Sequence, residues 1–228
     1  MRALSLAILM FMVPPAKAAE VTLSDFRGEP VIHLKGPFID GDEFKFASAV
    51  RWTEAKLVLL HSDGGSLRTG IEIGRTIKRM GLGTLVSTLH GRCASACGLA
   101  WLAGTPRMID LGSLVGFHAA YTTAAGKNDV TSIGNALAGG YMRELGLSDA
   151  AIEYATTARP ESMTWLTNED AIRIRLDVEY IWVGTVSPGT TKYSRKIPVP
   201  EPAPRRVKIT KMAPSRENDL LKLFSPVQ

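Results

Sequence analysis

No stretch of this 228-residue chain is long and apolar enough to cross a bilayer. The longest such run, Ala3 to Val13, has eleven residues with Ser5 among them, against the roughly 20 that a spanning helix needs. No transmembrane anchor is expected, and the mature protein is expected to be soluble. Cysteine is nearly absent too: Cys93 and Cys97 are the only two, with no neighbouring His or acid to complete a tetrahedral site, so no metal and no cofactor are expected. An even count four residues apart leaves two readings, a disulfide or a pair of buried thiols, since one helical turn brings Cα atoms to about 6 Å. Of four histidines only His118 has a motif around it. His33, His61 and His90 are expected to be structural or surface residues. There is no internal repeat.

What is there begins with a secretory signal. Arg2 supplies the positive start, the apolar run follows, and Ala16-Lys17-Ala18 after Pro14-Pro15 is an A-x-A cleavage site. Export to the periplasm or medium is the expectation, with residues 1–18 removed. The whole-chain charge of +5 suggests nucleic acid until it is located. Residues 184–228 carry nine Lys/Arg against three acids, and residues 1–18 carry two more cations, so residues 19–183 are left at a net charge of −3. A body of that sign excludes a nucleic-acid groove. Pro188, Pro198, Pro200, Pro202, Pro204 and Pro214, spread among basic and hydroxyl residues, predict a disordered, extended tail over 186–228. Leu220, Leu221, Leu223 and Phe224 are placed to form a short docking segment at its end.

Between these ends the chain reads as one α/β domain, residues 19–185. Val31–Leu34, Leu57–His61, Leu85–Leu89, Leu114–His118 and Val178–Val183 are apolar runs of strand length. Asp42–Thr53, Ile71–Met80, Ala94–Ala103, Asn128–Leu145 and Asn168–Ile174 have helical spacing or small-residue composition. Proline is absent from the interiors of these segments. Alternation of strands with helices argues for mainly parallel pairing.

A serine hydrolase needs a nucleophile, a base and donors for an oxyanion, and the sequence offers each. Ser95 lies among small residues, Cys93-Ala94-Ser95-Ala96-Cys97-Gly98, at a predicted strand-to-helix turn where helix-start N–H groups are free. Gly64-Gly65 follows the second strand, and a glycine pair there lets a main-chain N–H approach a carbonyl closely. His118 ends a predicted strand. Alone, each is more often an N-cap, a turn or a structural histidine; together they point to a site.

Leu59-Leu60-His61-Ser62-Asp63-Gly64-Gly65-Ser66, then Cys93 through the Ala103-Gly104 pair, then Val115-Gly116-Phe117-His118 resemble the proteolytic subunit of Clp protease and periplasmic Clp-like proteins. The likeness runs from about Val31 to Val183. It implies a ClpP/crotonase-like ββα superhelix, peptide hydrolysis through an acyl-enzyme, and a homo-oligomer of rings or trimers. Ser95 would be the nucleophile and His118 the base, with the N–H groups of Gly65 and Ala96 as oxyanion hole. In that family an Asp precedes an aromatic-Leu-Ser/Thr segment by two positions; here Met163 stands there, ahead of Trp165-Leu166-Thr167, and Glu161 is the acid two residues upstream. A Ser-Lys arrangement, as in related signal-peptide peptidases, would fall to Lys127, which no motif supports. The expectation is an exported, ATP-independent peptidase acting on short or unfolded peptides. The alternative is a catalytically silent Clp-like binding or assembly protein. Acyl-CoA chemistry, which the fold alone allows, is disfavoured outside the cytoplasm.

Overall fold

The structure, a computed structural model, describes residues 18–87, 91–183 and the backbone of 195–196. Residues 1–17 of the expected signal and most of the tail lie outside the described residues. The chain begins with an antiparallel pair, β1 (Glu20–Phe26) and β2 (Glu29–Lys35), then α1 (Asp42–Arg51), β3 (Leu57–His61), α2 (Leu67–Arg79) and β4 (Gly83–Val86). A short strand β5 (Arg92–Ala94) feeds α3 (Ala96–Trp101), followed by β6 (Arg107–Asp110), β7 (Leu114–Phe117) and the hairpin β8 (Tyr121–Ala124) and β9 (Lys127–Val130). The body closes with α4 (Ser132–Glu144), α5 (Asp149–Thr157), β10 (Thr164–Trp165), α6 (Asn168–Arg173) and β11 (Glu179–Ile181), and β12 (Arg195–Lys196) lies beyond it.

Seven strands form the main sheet in the order β11-β6-β4-β3-β2-β1-β12. Its centre, from β11 to β2, is parallel, and β1 and β12 add antiparallel edges. The apolar run Leu57-Val58-Leu59-Leu60 makes β3 because a strand covered on both faces needs continuous rather than alternating apolarity. α2 buries Ile73 and Ile77 fully, in the same core as Val58 and Leu60 of β3. Ser66 caps that helix, its hydroxyl accepting from the Thr69 N–H. A second, three-stranded sheet, β10-β7-β5, holds β5 parallel and β10 antiparallel to β7.

The tail expectation needs one correction. Arg195–Lys196 is not unpaired chain but lies antiparallel on β1, Lys196 opposite Thr22 and Arg195 opposite Leu23; an edge strand offers a row of free N–H and C=O groups that any extended segment can use. The helix expected over 128–145 begins only at Ser132, behind the N-cap Thr131. Val130, at helical spacing from Ile133, belongs instead to the hairpin, whose turn holds Ala125 at φ 50° and Gly126 at φ 75°, the pair of left-handed residues that a two-residue hairpin turn requires. Elements β1, β5, β6, β8, β9, β10 and α5 had no expectation of their own.

Truncating Ile73 leaves a cavity in the core that α2 shares with the sheet. Ile73→Ala is expected to cost about 2–5 kcal/mol, read as a lower urea midpoint with unchanged slope.

Candidate active site

The polypeptide crosses itself at the carboxyl end of β3. Ser62 N–H donates to the Arg92 carbonyl at 3.0 Å and Ala94 N–H donates back to the Ser62 carbonyl at 2.9 Å, which pins β5 beside the Ser62–Gly65 turn. On the other side Phe38 N–H donates to the Gly64 carbonyl at 2.7 Å, and Ser66 N–H to the Phe38 carbonyl at 2.8 Å. Both flanks leave room only for glycine. At Gly64, with φ 98°, a Cβ would stand 2.7 Å from the Ser95 Cβ, and at Gly65, with φ 135°, 2.2 Å from the Phe38 carbonyl oxygen. The Gly65 N–H, on an exposed residue between two hydrogen-bonded neighbours, makes no bond among the described residues.

Ser95 joins β5 to α3. Its N–H donates to the Gly116 carbonyl at 2.9 Å, and its backbone sits at φ 58° and ψ −125°, a conformation that costs a non-glycine residue about 1–3 kcal/mol and clusters at functional sites. A tight strand-to-helix turn of this kind lifts the hydroxyl out of the sheet. The side chain occupies the N-cap position yet makes no cap bond, so the commonest structural reason for a serine there is absent. The next N–H, that of Ala96, is the first of α3 and has no partner outside the helix among the described residues. Cys93 and Cys97, on either side, form a disulfide and are both fully buried; of the two readings left open for this pair, the bridge is the one the structure contains.

Gly65, Ser95, Ala96 and His118 all line one cleft of about 540 Å³. His118 follows β7 in a segment clamped on both sides. Ala119 N–H donates to the Ala158 carbonyl at 2.7 Å and Thr131 N–H to the Ala120 carbonyl at 2.9 Å, while Ala120 N–H donates to Asn135 Oδ1 at 2.7 Å. His118 Nδ1 lies 2.7 Å from the Ala119 carbonyl oxygen. A carbonyl can only accept, so Nδ1 carries the hydrogen and Nε2 of the neutral ring is left as the proton acceptor. The Tyr121 ring packs against the imidazole, centroids 5.4 Å apart. Neither Ser95 Oγ nor His118 Nε2 has a hydrogen bond among the described residues.

The structure does not bring the other candidates here. Glu161 is exposed in the turn after α5, where Ser162 N–H bonds back to the Arg159 carbonyl, and it does not line the cleft. Met163 points its side chain at Gly116, its Cγ 2.7 Å from where a Cβ of that glycine would be; the place of the expected acid is filled by thioether. Lys127 is on the hairpin, 80% exposed and 3.6 Å from Asp129. His61, at the end of β3, has its pKa lowered by burial and by Lys35, which keeps the ring neutral near pH 7. Among the described residues no group of three or more His, Cys, Asp and Glu is placed to hold a metal ion.

No family model and no curated protein matches the chain. Among solved structures it is similar to the membrane-bound stomatin-specific protease 1510-N, a serine-to-alanine mutant, with a TM-score of 0.51 and 15% identity over 66% of this chain and 78% of that one. A lysine-to-alanine mutant of the same protease, in complex with a substrate peptide, aligns with a TM-score of 0.50 and 15% identity over 66% of this chain and 74% of that one. The fold is ClpP/crotonase-like. At this identity the likeness is one of fold, and the chemistry has to be argued from the cleft itself.

Asn135 and the Ala119 carbonyl had no signal in the sequence: one is a polar residue on a helix face, the other a main-chain atom. The strain at Ser95 has a measurable consequence. Glycine adopts φ 58° freely, so Ser95→Gly relieves about 1–3 kcal/mol against a backbone-entropy cost of about 0.5–1 kcal/mol. Ser95→Gly is expected to be more stable than Ser95→Ala by about 1 kcal/mol in chemical denaturation.

Proposed function

We propose that the chain is an exported serine peptidase, independent of ATP, that cleaves short or unfolded peptides at Ser95. The observation that carries this reading is the left-handed Ser95 turn opening into the same cleft as a histidine whose Nδ1 is already occupied. His118 Nε2 takes the proton from Ser95 Oγ as the oxygen bonds to the scissile carbonyl carbon. The N–H groups of Gly65 and Ala96 receive the oxyanion, and the proton then passes to the leaving amine. Water, activated by the same nitrogen, hydrolyses the acyl-enzyme and restores Ser95. Loss of one oxyanion donor costs such enzymes about 10²–10³ in rate, so a turn built to leave two donors unpaired is a substantial part of the argument.

The missing acid lowers the expected activity by a bounded amount. Where an orienting Asp has been replaced in a triad the loss is roughly 10⁴, and it traces to the wrong tautomer. Here the Ala119 carbonyl holds the right one and lacks only the negative charge that stabilises imidazolium, so a loss smaller than 10⁴ is the expectation. The cleft wall formed by Leu67, Leu99, Phe117, Ile133 and Leu137 favours substrates with an apolar side chain next to the scissile bond. Ile133 and Leu137 remain 74% and 58% exposed, which suits either that side chain or a neighbouring subunit of a homo-oligomer with the superhelical arrangement of the fold.

The same observations support a second reading, a silent binding module, because Met163 fills the acid's place and Ser95 Oγ is not hydrogen-bonded to His118. A fluorophosphonate probe separates the two. An adduct on Ser95 of the mature protein, lost in Ser95→Ala and slowed about 10²–10⁴-fold in His118→Ala, is expected; a folded wild type without an adduct leaves the binding module. Asn135→Ala removes the side chain that holds Ala120 and is expected to slow labelling about tenfold, with a stability cost of about 1–3 kcal/mol from the N–H left unpaired, measured by adduct formation and thermal melting.

A further inference from the structure

Asp42 is the first residue of α1 and its side chain is fully buried. Oδ2 accepts from the Ala19 N–H and from the Ile39 N–H, each at 3.0 Å, and Oδ1 accepts from Lys45 Nζ at 2.7 Å. Ala19 itself is only 5% exposed and belongs to the core. It is also the residue that follows the Ala16-Lys17-Ala18 cleavage signal. The nitrogen resting on this carboxylate is therefore the atom that cleavage would convert from an amide into an α-ammonium.

We propose that Asp42 is a binding site for the new amino terminus: cleavage after Ala18 replaces a neutral N–H donor by a charged one, and the ion pair so formed locks the loop that carries the Gly64-Gly65 turn. An ammonium adds a Coulomb attraction to the carboxylate that a neutral N–H lacks, and a buried carboxylate is costly unless cations and donors surround it. Lys45 is 38% exposed and shares its charge with solvent; the ammonium supplies a second cation from the buried side.

The route to the cleft is short and runs through side-chain and main-chain bonds of residues 38–42. The same Oδ2 that holds Ala19 holds the Ile39 N–H. Ile39 accepts from Thr69 Oγ1 at 3.2 Å, and Asp40 accepts from Ser66 Oγ at 2.7 Å. Phe38, one residue back, is bonded to both Gly64 and Ser66. A carboxylate that gains an ion pair at Ala19 therefore fixes both flanks of the Gly65 N–H. This last link rests on the oxyanion role assigned to Gly65; the amine site does not.

The experiment begins with the protein exported and processed by cells, whose N-terminus is read by mass spectrometry. Ala19 is the expected first residue, and a start elsewhere overturns the proposal. Two chains are then released from a cleavable tag, one beginning at Ala19 and one at Ala18, and their α-amines are reductively methylated in the folded and the denatured state. The Ala19 amine is expected to react at least tenfold more slowly when folded, and the Ala18 amine to show no such protection. The Ala19 chain is expected to melt a few degrees higher, a difference that disappears in Asp42→Asn; should that variant not fold, the methylation rates of the two Asp42 chains decide. Equal methylation together with equal melting overturns the amine site. Fluorophosphonate labelling of Ser95 is expected to be faster in the Ala19 chain. A protected amine with equal labelling overturns the coupling to Gly65. A protected amine with no labelling in either chain supports the amine site and overturns only the peptidase reading.

Discussion

Main-chain hydrogen bonding at the carboxyl end of β3 is what the rest of the site depends on. There the Ser62–Gly65 turn is bonded to β5 on one side and to Phe38 on the other, so three segments distant in sequence share one narrow place with side chains excluded. The exclusion is steric and absolute at Gly64 and Gly65, where any Cβ would overlap Ser95 or Phe38. Because backbone occupies the space, a free N–H and the serine hydroxyl come within one cleft without a dedicated side-chain scaffold. The Cys93–Cys97 bridge ties the strand before Ser95 to the first turn of the helix after it, which limits how far the left-handed residue can relax.

His118 is held by different means. Its segment is fastened to the end of α5 and to the start of α4 through Ala119, Ala120, Thr131 and Asn135, and its ring is oriented by the carbonyl of its own neighbour. A carbonyl fixes a tautomer as well as a carboxylate does, but it brings no net charge. The arrangement orients the ring without the charge of an acid, and Met163 packs against Gly116.

The likeness to the stomatin-specific protease lies in the fold, and the residues quoted from this chain carry the chemical reading. Both the Ser95 turn and the glycine turn sit at the ends of strands, β5 and β3, where rigid elements hold them.

Several elements were legible in the sequence for physical reasons that can be named. β3 is a continuous apolar run because it lies between parallel neighbours, β2 buries Val31, Ile32 and Leu34, and α2 shows its face through Ile73 and Ile77. β8 and β9 were not legible, since Tyr121–Ala124 and Lys127–Val130 are almost wholly solvated and leave no apolar pattern. β5 is three residues long and merges in sequence with the helix that follows. α5, Asp149–Thr157, buries only Ala151 and Ala155, too narrow a stripe to announce a helix. Ser95, Gly65 and His118 were singled out by residue type and position, while their roles, and Ala96 altogether, came from the resemblance to the proteolytic subunit of Clp protease. Their convergence on one cleft, the carbonyl that orients His118, the displacement of Glu161 and the meeting of Ala19 with Asp42 were decided only by tertiary structure. Each depends on main-chain atoms or on contacts between residues far apart in the chain, and neither leaves a mark on local composition.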